Sequence, residues 1–600
     1  MRPRRSPSRP VRLREVRPTV REPAAARRWR VARPPAGAVT TLSSELGISR
    51  ILATVLANRG LVRTADARAF LERRPGAPDD PFLLEGMDRA VTRLLSALQS
   101  GERICVYGDY DVDGLTAAAV LVTVLREAGA SVTWYIPSRT AEGYGLNAEA
   151  LRRIRAGGSD LVVTVDCGTT AVAEAALARS LGLGLIITDH HTPGPVLPAA
   201  DALVNPRRAG SGYPFEDLAG VGVAYKLSQA LTAFLGRADG DRLWRGLEDL
   251  VALGTVCDVV PLTGENRFLV WRGLELFSPP ARVGLAALGE VAGLDGAEAT
   301  TRHLAFAYGP RLNAAGRLGD AERALRLLLT QDEDEARRLA VELDHGNRER
   351  QALEAAILEE VVERVVREVD LETERAIVLA GRGWHEGVIG IVASRVVERF
   401  ARPALLVAIN DGVGRGSGRS VPGFDLVSAL ADCAGHLLRY GGHRMAAGFE
   451  IGEDAFEGFC RDFLALARER LGDDDLEREL SVDAVVEPGL LAASVEEFAR
   501  ELALLEPHGT GNPEPVLAVG GARFLSVRPV GSGGRHLRAR VAVGGRVFGA
   551  VGFGLGGRAA DLRAVGGPVH IAFRPAWDEW QGERRVELRL LDVSVEGPGP

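Results

Sequence analysis

The stretch RICVYGDYDVDGLTAAAVLVTVLREAGA (103–130) joins a short apolar run to an aspartate-rich turn and then to a helical segment. Two later runs, VTVDCG (163–168) and IITDHH (186–191), likewise end a β-branched segment at an aspartate or a histidine. Such runs, alternating with helical stretches, are typical of βαβ units around a parallel sheet. Because the alternation covers residues 46–270, we predict an α/β domain with a parallel sheet there.

The polar residues of these motifs follow the ends of the predicted strands. In an open parallel sheet the carboxyl ends of neighbouring strands face one crevice, so we expect the side chains to converge. They are Asp109, Asp111, Asp113, Asp166, His190 and His191. Oxygen and imidazole ligands without cysteine suit Mn²⁺ or Mg²⁺ better than structural zinc, and the pattern predicts two-metal chemistry on phosphate.

Alternatives remain open for some of these aspartates. GDYDVDG alone is also typical of an Asp-rich surface turn, but carboxylates held close together repel unless cations neutralise them, and three motifs together favour a site. VALGTVCDVVPL (251–262) places Asp258 in an apolar stretch, where it is either a further ligand or the cap of a turn. The first helix is expected to begin at Gly114, so that its amide dipoles help to hold an anion.

The length of 600 residues predicts three or four domains, and 46% hydrophobic with 26% charged residues is ordinary for a soluble globular protein. No apolar run is long enough for a bilayer and no signal peptide is visible, so we expect a cytoplasmic protein without a membrane partner. Five cysteines without a CxxC pattern argue against a zinc ribbon and against a disulfide framework.

The charge is distributed unevenly. Residues 1–33 carry twelve arginines against two glutamates, a net of +10, whereas the whole chain has −7, which leaves −17 for the rest. An acidic body argues against broad duplex binding but is compatible with a local basic channel. The Arg- and Pro-rich residues 1–45 are predicted to be a disordered tail: an unstructured extension, even an upstream mis-assigned start, or a phosphate-binding arm.

Three further segments follow the first domain. Residues 271–368 are predicted to be a helical connector whose long helices are interrupted at Gly346. Residues 369–465 alternate strand and helix again and are predicted to form a second, smaller α/β domain. Residues 466–600 end in five short alternating strands split by glycine turns, which favour an OB-like β-barrel, with a generic sandwich as the alternative.

Phosphate chemistry also needs cationic and amide donors. GSGRS (416–420) and GGH (441–443) are predicted to be glycine-rich turns that present Ser417, Arg419 and His443. The other candidates are Arg139, which follows the predicted strand WYIP, and, within RLNAAGR (311–317), Arg311, Asn313 and Arg317. Each of these residues alone is more often a surface or structural residue.

Taken in order, the motifs resemble the DHH phosphoesterase family, and within it the single-strand-specific exonucleases. GDYDVDG, VTVDCGTT, TDHH and ALGTVCDVVPL resemble four N-terminal motifs of the family. WHEGVIGIVASR, GSGRS and GGHRMAAGF resemble its DHHA1 domain, and PHGTGNPEP resembles the lead into an OB domain. The resemblance begins near residue 46, reaches nearly to the C-terminus, and implies DHH, DHHA1 and nucleic-acid-binding OB-like domains with the boundaries given above.

The resemblance implies a 5′→3′ exodeoxyribonuclease that releases mononucleotides from single-stranded DNA with two Mn²⁺ or Mg²⁺ ions, in DNA repair and recombination. The implied metal ligands are Asp111, Asp113, Asp166, His190 and Asp258, with Asp109 as a further candidate. Asp166 would bridge the ions, and His191 would contact the scissile phosphate or support the metal shell. The implied phosphate contacts are Arg139, Ser417, Arg419 and His443, and the implied strand contacts are Arg311 and Asn313. Many relatives have a histidine where this chain has Tyr107, which leaves the first ligand set open.

Two other functions remain open. A small-substrate phosphodiesterase for oligonucleotides or cyclic dinucleotides shares the metal motifs, but the C-terminal barrel favours long strands, held by stacking and phosphate contacts. The stacking candidates are Phe573, Trp577 and Trp580, for which packing in the barrel core is an equal alternative. A non-enzymatic relative that only binds strands typically loses metal carboxylates, and these are all present here. The expected partners are single-stranded DNA with a 5′ end and, at the level of the family, a helicase and a single-strand-binding protein.

Overall fold

The computed structural model describes residues 27–72, 79–139, 141–235, 240–294, 296–580 and 583–597. These residues form two α/β parts and a β-barrel, each with its own apolar core. The α/β class, the parallel sheet and the C-terminal barrel are therefore confirmed. Within the described segments, no helix is both long and apolar enough to cross a membrane.

The N-terminal segment is structured from Arg28 onward. Its elements are β1 (Arg28–Val31), α1 (Ala38–Leu46), α2 (Arg50–Asn58) and α3 (Thr64–Leu71). β1 pairs in parallel with the strand Glu479–Val482, and the indole N–H of Trp29 donates to Asp592 at 2.9 Å. The prediction of a disordered tail is therefore wrong for residues 28–45, because a distant strand supplies the pairing; residues 1–26 lie outside the described residues.

The first sheet consists of five parallel strands, β2 (Arg103–Tyr107), β3 (Ser131–Tyr135), β4 (Leu161–Val165), β5 (Gly184–Thr188) and β6 (Ala202–Val204). Their order in the sheet is β3-β2-β4-β5-β6. The surrounding helices are α4 (Met87–Ser100), α5 (Val112–Glu127), α6 (Ala148–Ala156), α7 (Val172–Ser180) and α8 (Gly220–Phe234). Helix α5 begins two residues before the predicted Gly114, because the Asp111 carboxylate accepts the Gly114 N–H at 3.1 Å and caps the helix.

A helical region connects the two α/β parts. Its helices are α9 (Gly240–Arg245), α10 (Glu248–Cys257), α11 (Gly264–Leu276), α12 (Val283–Val291), α13 (Thr301–His303), α14 (Gly309–Leu318), α15 (Glu322–Leu329) and α16 (Glu333–Glu368). A π-helical turn, Leu304–Tyr308, joins α13 to α14. Helix α16 is continuous over 36 residues, so the predicted interruption at Gly346 is wrong. Leu339 and Leu343 pack on the first α/β core, and Ile357 and Val361 pack on the second, so this helix links the two.

The second sheet is mixed. Its strands are β7 (Ile377–Arg382), β8 (Ala404–Asn410), β9 (Val413–Arg419), β10 (Leu437–Gly442) and β11 (Ala446–Gly452), in the order β10-β11-β9-β8-β7. The helices are α17 (Glu386–Phe400), α18 (Leu426–Asp432) and α19 (Phe456–Arg470). GSGRS lies largely within β9 and is not the predicted turn, because it pairs with β11 on one side and β8 on the other. Its glycines leave room for neighbouring side chains: a Cβ on Gly416 would meet the Phe449 ring at 2.2 Å.

The C-terminal part contains β12 (Glu479–Val482), β13 (Ala484–Val485), α20 (Pro488–Leu502), β14 (Leu517–Val530), β15 (His536–Val543), β16 (Arg546–Gly552), α21 (Ala559–Ala564), β17 (Val569–Trp580) and β18 (Glu583–Ser594). Pairing of β14 with β17 closes the row β14-β15-β16-β18-β17 into a five-stranded barrel. Leu52 and Leu56 of α2 pack on the barrel core, so residues 46–71 belong with the barrel and not with the predicted first domain.

Two of the three aromatic residues expected to stack on bases, Phe573 and Trp577, pack in or against this barrel core. Phe573 is fully buried, and Trp577 packs against the core from its edge. The side chain of Trp580 lies outside the described residues. Phe573 is therefore not a stacking residue, because the strand alternation places its ring inside the barrel.

Two helical glycines should respond in opposite directions to alanine. At Gly346 a Cβ would have only Leu318 Cδ1 nearby, at 3.9 Å, so Gly346→Ala should raise stability by about 0.5–1 kcal/mol because it lowers the entropy of the unfolded chain. At Gly284 a Cβ would lie 1.9 Å from the Leu327 carbonyl oxygen, so Gly284→Ala should destabilise. Thermal unfolding of both variants measures this, and a lower Tm for Gly346→Ala would contradict the continuous helix.

Candidate metal centre and phosphate site

The carboxyl end of the first sheet brings the predicted metal ligands together. Asp109 follows β2, Asp166 follows β4, and His190 follows β5. The Nε2 atom of His190 lies 3.1 Å from Asp166 Oδ1, 3.6 Å from Asp258 Oδ2 and 3.8 Å from Asp113 Oδ2. Asp258 joins this group from the C-terminal end of α10, where it is the helix cap. One compact centre therefore contains residues from four separate segments.

Three overlapping sets of residues could each hold a cation, because in each set the ligand atoms lie within 4.8 Å of one another. The sets are Asp109 with Asp111 and Asp166, Asp166 with His190 and His191, and Asp113 with His190 and Asp258. Asp166 belongs to two of these sets, and so does His190. The arrangement offers two neighbouring cation positions on either side of a shared carboxylate.

The backbone around the centre is adapted to crowded carboxylates. Asp166 has a left-handed φ of 61°, which is uncommon for a residue with a side chain. A Cβ on Gly220 would lie 2.6 Å from Asp166, and a Cβ on Gly114 would lie 2.5 Å from the Asp109 nitrogen. The first amides of α8 donate to Asp113, from Gly220 at 2.6 Å and from Val221 at 2.8 Å. The first residues of α8 therefore bind the Asp113 carboxylate through their amides and, at Gly220, leave space for the Asp166 side chain.

Several buried polar atoms of the centre lack a hydrogen-bond partner among the described residues. They are Oδ1 of Asp109, Oδ1 of Asp166, Oδ2 of Asp258 and both ring nitrogens of His190. The contact of His190 with Asp166 is short enough for a hydrogen bond but not aligned for one. Unpaired buried acceptors are costly, and a divalent cation would satisfy them. Carboxylates and imidazole without cysteine fit Mn²⁺ or Mg²⁺.

The protonation behaviour of the centre has the same cause. Burial, followed by repulsion from neighbouring carboxylates, raises the pKa of Asp109, Asp166 and Asp258 well above the ordinary range. Burial and Asp111 raise the pKa of Asp113 to about 7. Burial, with the adjacent His191, lowers the pKa of His190 to about 3, so this imidazole is neutral and available as a ligand. The carboxylates need positive charge beside them to ionise together.

Asp189 has a supporting role that the sequence did not reveal. Its carboxylate accepts the backbone N–H groups of His190, His191 and Thr169 at 2.8, 3.1 and 2.9 Å. It also lies 2.8 Å from Nδ1 of His191. Burial would raise the pKa of Asp189, but the contact with His191 lowers it to about 2. Its position in the TDHH motif was the available signal, and its role is to orient the two histidines.

His191 is the more accessible histidine of the pair, with 35% of its side chain exposed. Burial would lower its pKa, but the hydrogen bond to Asp189 and the nearby carboxylates raise it above the ordinary value. The hydroxyl of Tyr144 lies 3.0 Å from Nδ1 of His191 and donates to the Asp166 carbonyl at 3.2 Å. Tyr144 is a second residue of the centre that sequence reasoning missed.

Tyr107 takes a structural role. Its side chain is fully buried, its hydroxyl donates to the Gly145 carbonyl at 2.9 Å, and its ring stacks on Tyr135 with centroids 5.4 Å apart. Asp109, two residues later, keeps a buried oxygen that has no hydrogen-bond partner in the described part of the chain, and it lies beside Asp111 and Asp166. Asp109 is thus placed where it could hold a metal ion, whereas the Tyr107 hydroxyl is directed to Gly145.

A cluster of arginines lies beside the carboxylates. Arg317 comes from α14, Arg419 from β9, and Arg139 from the segment after β3. Burial, followed by Arg139, Arg350 and Arg419, lowers the pKa of Arg317 to about 10. Arg317 donates to the Gly387 carbonyl at 3.0 Å, and Arg419 donates to the Gly418 carbonyl at 2.8 Å and to Ser417 Oγ at 3.2 Å.

Among the described residues, Arg139, Arg317 and Arg419 form no ion pair with a carboxylate. Mutual repulsion of half-buried guanidinium groups is relieved by an anion between them. A cavity of about 350 Å³ opens from Arg139 and Ser417 into the second α/β part. The cluster is therefore a candidate phosphate site, and Arg317 is central to it.

Other predicted phosphate and strand contacts do not converge on this cluster. Arg311 forms an ion pair with Asp344 at 2.9 Å, and Asn313 accepts the Val112 N–H at 3.2 Å. His443 is exposed in the turn between β10 and β11, where its backbone N–H donates to Ala446 at 2.8 Å. Arg311 and Asn313 thus hold α14 in place beside the centre.

Comparison with known proteins covers nearly the whole chain. The family model described as DHH family, N-terminal domain, matches residues 103–255, that of the DHHA1 domain matches 373–472, and that of the RecJ OB domain matches 483–592. A Bacillus subtilis (strain 168) relative named single-stranded-DNA-specific exonuclease RecJ is 38% identical over 570 residues, which cover 95% of this chain and 71% of the relative.

Solved structures are similar over the same range. The crystal structure of RecJ in complex with Mn²⁺ from Thermus thermophilus matches with a TM-score of 0.80 at 38% identity and covers 94% of this chain and 79% of that chain. The corresponding Mg²⁺ complex has a TM-score of 0.75 at 35% identity and covers 94% of this chain and 78% of that chain. Both ions predicted from the donor set thus occur in similar proteins.

Divalent cations should stabilise the folded protein through Asp166. With free Mn²⁺ a hundredfold above its Kd, binding only to the folded state contributes about 2.7 kcal/mol, which raises the Tm. Asp166→Asn should lose this ion-dependent rise, and its metal-free Tm should exceed that of the wild type because one repelling buried charge is gone. Thermal unfolding with EDTA or Mn²⁺ measures both effects. The exposed Asp88→Asn is the matched control; an unchanged Mn²⁺ response in Asp166→Asn would contradict the centre.

Proposed function

The chain belongs to the RecJ family of single-stranded-DNA-specific exonucleases, and we propose that it removes mononucleotides successively from the 5′ end of a strand. The observation that carries this proposal is the position of the unpaired arginine cluster beside the carboxylate centre. A metal-dependent phosphodiester hydrolase needs both, because one group must activate water and the other must hold the phosphate.

Two cation positions share Asp166 in this proposal. Asp109, Asp111 and Asp166 would hold one Mn²⁺ or Mg²⁺. Asp113, His190 and Asp258 would hold the other, with Asp166 close enough to His190 to be shared. Asp113 would contribute to this second position while accepting two amides of α8. When bound, the two ions would supply an activated water and stabilise the charge on the attacking and leaving oxygens.

His191 is proposed to contact the scissile phosphate. The Asp189 carboxylate fixes the ring through Nδ1 and favours its protonated form, so the imidazole can donate a hydrogen bond to a phosphate oxygen. Its partial exposure leaves it accessible to the strand. His190 is neither protonated nor exposed: it is buried and neutral, and it is therefore proposed to act as a metal ligand.

The arginine cluster is proposed to set the direction of digestion. A terminal 5′-phosphate carries more negative charge than an internal phosphodiester, and three unpaired guanidinium groups favour the terminal group. Arg139, Arg317 and Arg419, with Ser417, would hold that phosphate one nucleotide away from the metal centre. Hydrolysis would then release a 5′-mononucleotide and create a new 5′-phosphate.

We expect Arg317→Ala to weaken binding of 5′-phosphorylated strands selectively. Loss of one charge-assisted contact should raise the KM for a 5′-phosphorylated strand by about 10-fold or more, and that for a 5′-hydroxyl strand by less. The matched control is Arg323→Ala. It removes an exposed arginine of α15, the helix that follows α14, and this arginine already pairs with Asp320.

Strands labelled at either end measure the direction of digestion in the same assay. Wild type should release a 5′ label at once and a 3′ label last, from single strands but not from duplexes. Prior release of the 3′ label would refute the proposed polarity. Equal KM changes for the two kinds of 5′ end would refute the role of Arg317.

The barrel is proposed to hold the trailing strand through arginines. Arg528 lies directly opposite Arg538 on the neighbouring strand, where like charges repel. With Arg540 and Arg585 they line a surface groove of about 580 Å³, in which one carboxylate, that of Glu587, lies 3.7 Å from Arg538. Phosphates along this groove would relieve the repulsion, as in other sequence-independent single-strand sites.

The double variant R528A/R538A should bind long single strands more weakly, and its affinity should depend less on salt. For single strands the slope of log K against log salt changes by about 0.7 for each phosphate that the protein no longer neutralises. Turnover of very short oligonucleotides should stay unchanged, since these do not reach the barrel. R152A/R179A, which removes two exposed arginines from α6 and α7, is the charge-matched control. An equal decrease in affinity in both double variants would leave the groove without a specific role.

The same assays distinguish the second candidate function. A small-substrate phosphodiesterase would degrade dinucleotides and leave long strands intact, but the basic barrel groove favours long strands. At the level of the family, we also propose a role in DNA repair and recombination, a helicase and a single-strand-binding protein as partners, and the cytoplasm as the location. Co-purification of such partners with the full chain tests that part.

A further inference from the structure

The segment PHGTGN (507–512) forms a tight hairpin between α20 and the barrel. The backbones of Gly509 and Asn512 bond to each other in both directions, at 3.0 and 3.1 Å. The Asn512 side chain is buried, with 1% exposure, and donates to the carbonyls of Leu505 and Pro507 at 2.8 Å each. This asparagine therefore closes the hairpin from inside.

The hairpin packs directly on the segment that follows Asp258. The Leu262 N–H donates to the Thr510 carbonyl at 2.7 Å. A Cβ on Gly509 would lie 2.5 Å from Leu262 Cδ1, and a Cβ on Gly511, where φ is 71°, would lie 3.1 Å from Pro261. The hairpin and this segment are thus in close contact, and the left-handed φ of Gly511 favours glycine at that position.

The segment after Asp258 needs external support. Asp258 ends α10, and the next residue, Val259, has a left-handed φ of 66° with 64% of its surface exposed. That conformation is strained for a β-branched residue and persists only where the surroundings impose it. Asn266 supports one side by donating to the Pro261 carbonyl at 3.1 Å, and the hairpin supports the other.

Three other parts of the molecule hold the hairpin in place. Arg59 of α2 donates to the Asn512 side-chain oxygen and, at 2.5 Å, to the Pro513 carbonyl. Arg267 of α11 donates to the Leu505 carbonyl at 2.7 Å, and the Thr301 hydroxyl of α13 donates to the His508 carbonyl at 2.8 Å. The hairpin is therefore fixed by the end of α2 and by two helices of the connecting region together.

We propose that the 507–512 hairpin positions Asp258 for metal binding, with Asn512 as the positioning residue that keeps the hairpin closed. The inference rests on the proposed assignment of Asp258 as a ligand. In this proposal, packing of the hairpin on the segment after Asp258 determines the metal affinity of the cation position that contains Asp258. Groups that support ligands in this way typically change metal affinity without touching the ion.

Mn²⁺ titration of the full chain, followed by electron paramagnetic resonance of the free ion, tests the proposal independently of turnover. Asn512→Ala should weaken Mn²⁺ binding by about 10-fold. Its kcat should fall at low Mn²⁺ and recover as Mn²⁺ is raised, while the KM for single strands stays unchanged. Asn58→Ala is the matched control: it also removes an asparagine donor to two carbonyls, but these belong to Ala32 and Asp483, outside both the hairpin and the segment after Asp258. Its Mn²⁺ affinity should equal that of the wild type.

The possible outcomes separate the two levels of the proposal. If Asp258→Asn binds Mn²⁺ as the wild type does, the ligand assignment itself is wrong. If Asp258→Asn weakens binding but folded Asn512→Ala does not, the positioning role is wrong and the ligand assignment stands. Should Asn512→Ala fail to fold, Thr301→Val decides: it removes one bond to the hairpin and should weaken Mn²⁺ binding by about 3-fold. Unchanged affinity in that variant overturns the inference, as does an equal decrease in Mn²⁺ affinity in Asn58→Ala.

Discussion

Repulsion among buried carboxylates is the constraint on which the rest of this structure depends. Among the described residues, Asp109, Asp166 and Asp258 keep buried oxygens without hydrogen-bond partners, and burial raises their pKa values. Such a group persists only if the rest of the fold stabilises it and a cation neutralises it. The amides of α8 on Asp113, the glycines at 114 and 220, and the left-handed Asp166 all serve this arrangement.

The complementary feature is the half-buried arginine cluster beside these carboxylates. Arg139 follows a strand of the first sheet, Arg317 lies on the connector, and Arg419 lies on the second sheet. Helix α16 packs on the cores of both α/β parts and so fixes the distance between their contributions. Among the described residues these two groups of opposite charge do not neutralise each other, which favours binding of divalent cations by the carboxylates and of a substrate phosphate by the arginines.

Much of the fold and of the metal centre could be predicted because the signals are local. Apolar runs gave the strands of the first sheet, and polar residues at their ends gave Asp109, Asp166 and His190. The predictions of local structure were wrong where the conformation of a segment depends on residues far away in the sequence. Gly346 continues a helix that two cores stabilise, GSGRS pairs as a strand of the second sheet, and Arg28–Val31 pairs with a strand more than four hundred residues away. None of these partners is visible in a sequence window.

The sequence by itself determined which chemistry is available: carboxylates and histidines at strand ends, arginines in glycine-rich surroundings, and a terminal barrel. Tertiary structure alone decided which of these residues support their neighbours and which are left to bind a ligand. Asp189 orients histidines while Asp166 is shared between two ligand sets, and Arg311 pairs with Asp344 while Arg317 stays unpaired. The physical reason is that residue type fixes charge and hydrogen-bonding capacity, whereas burial and neighbouring groups decide whether that capacity is satisfied internally or left for a ligand.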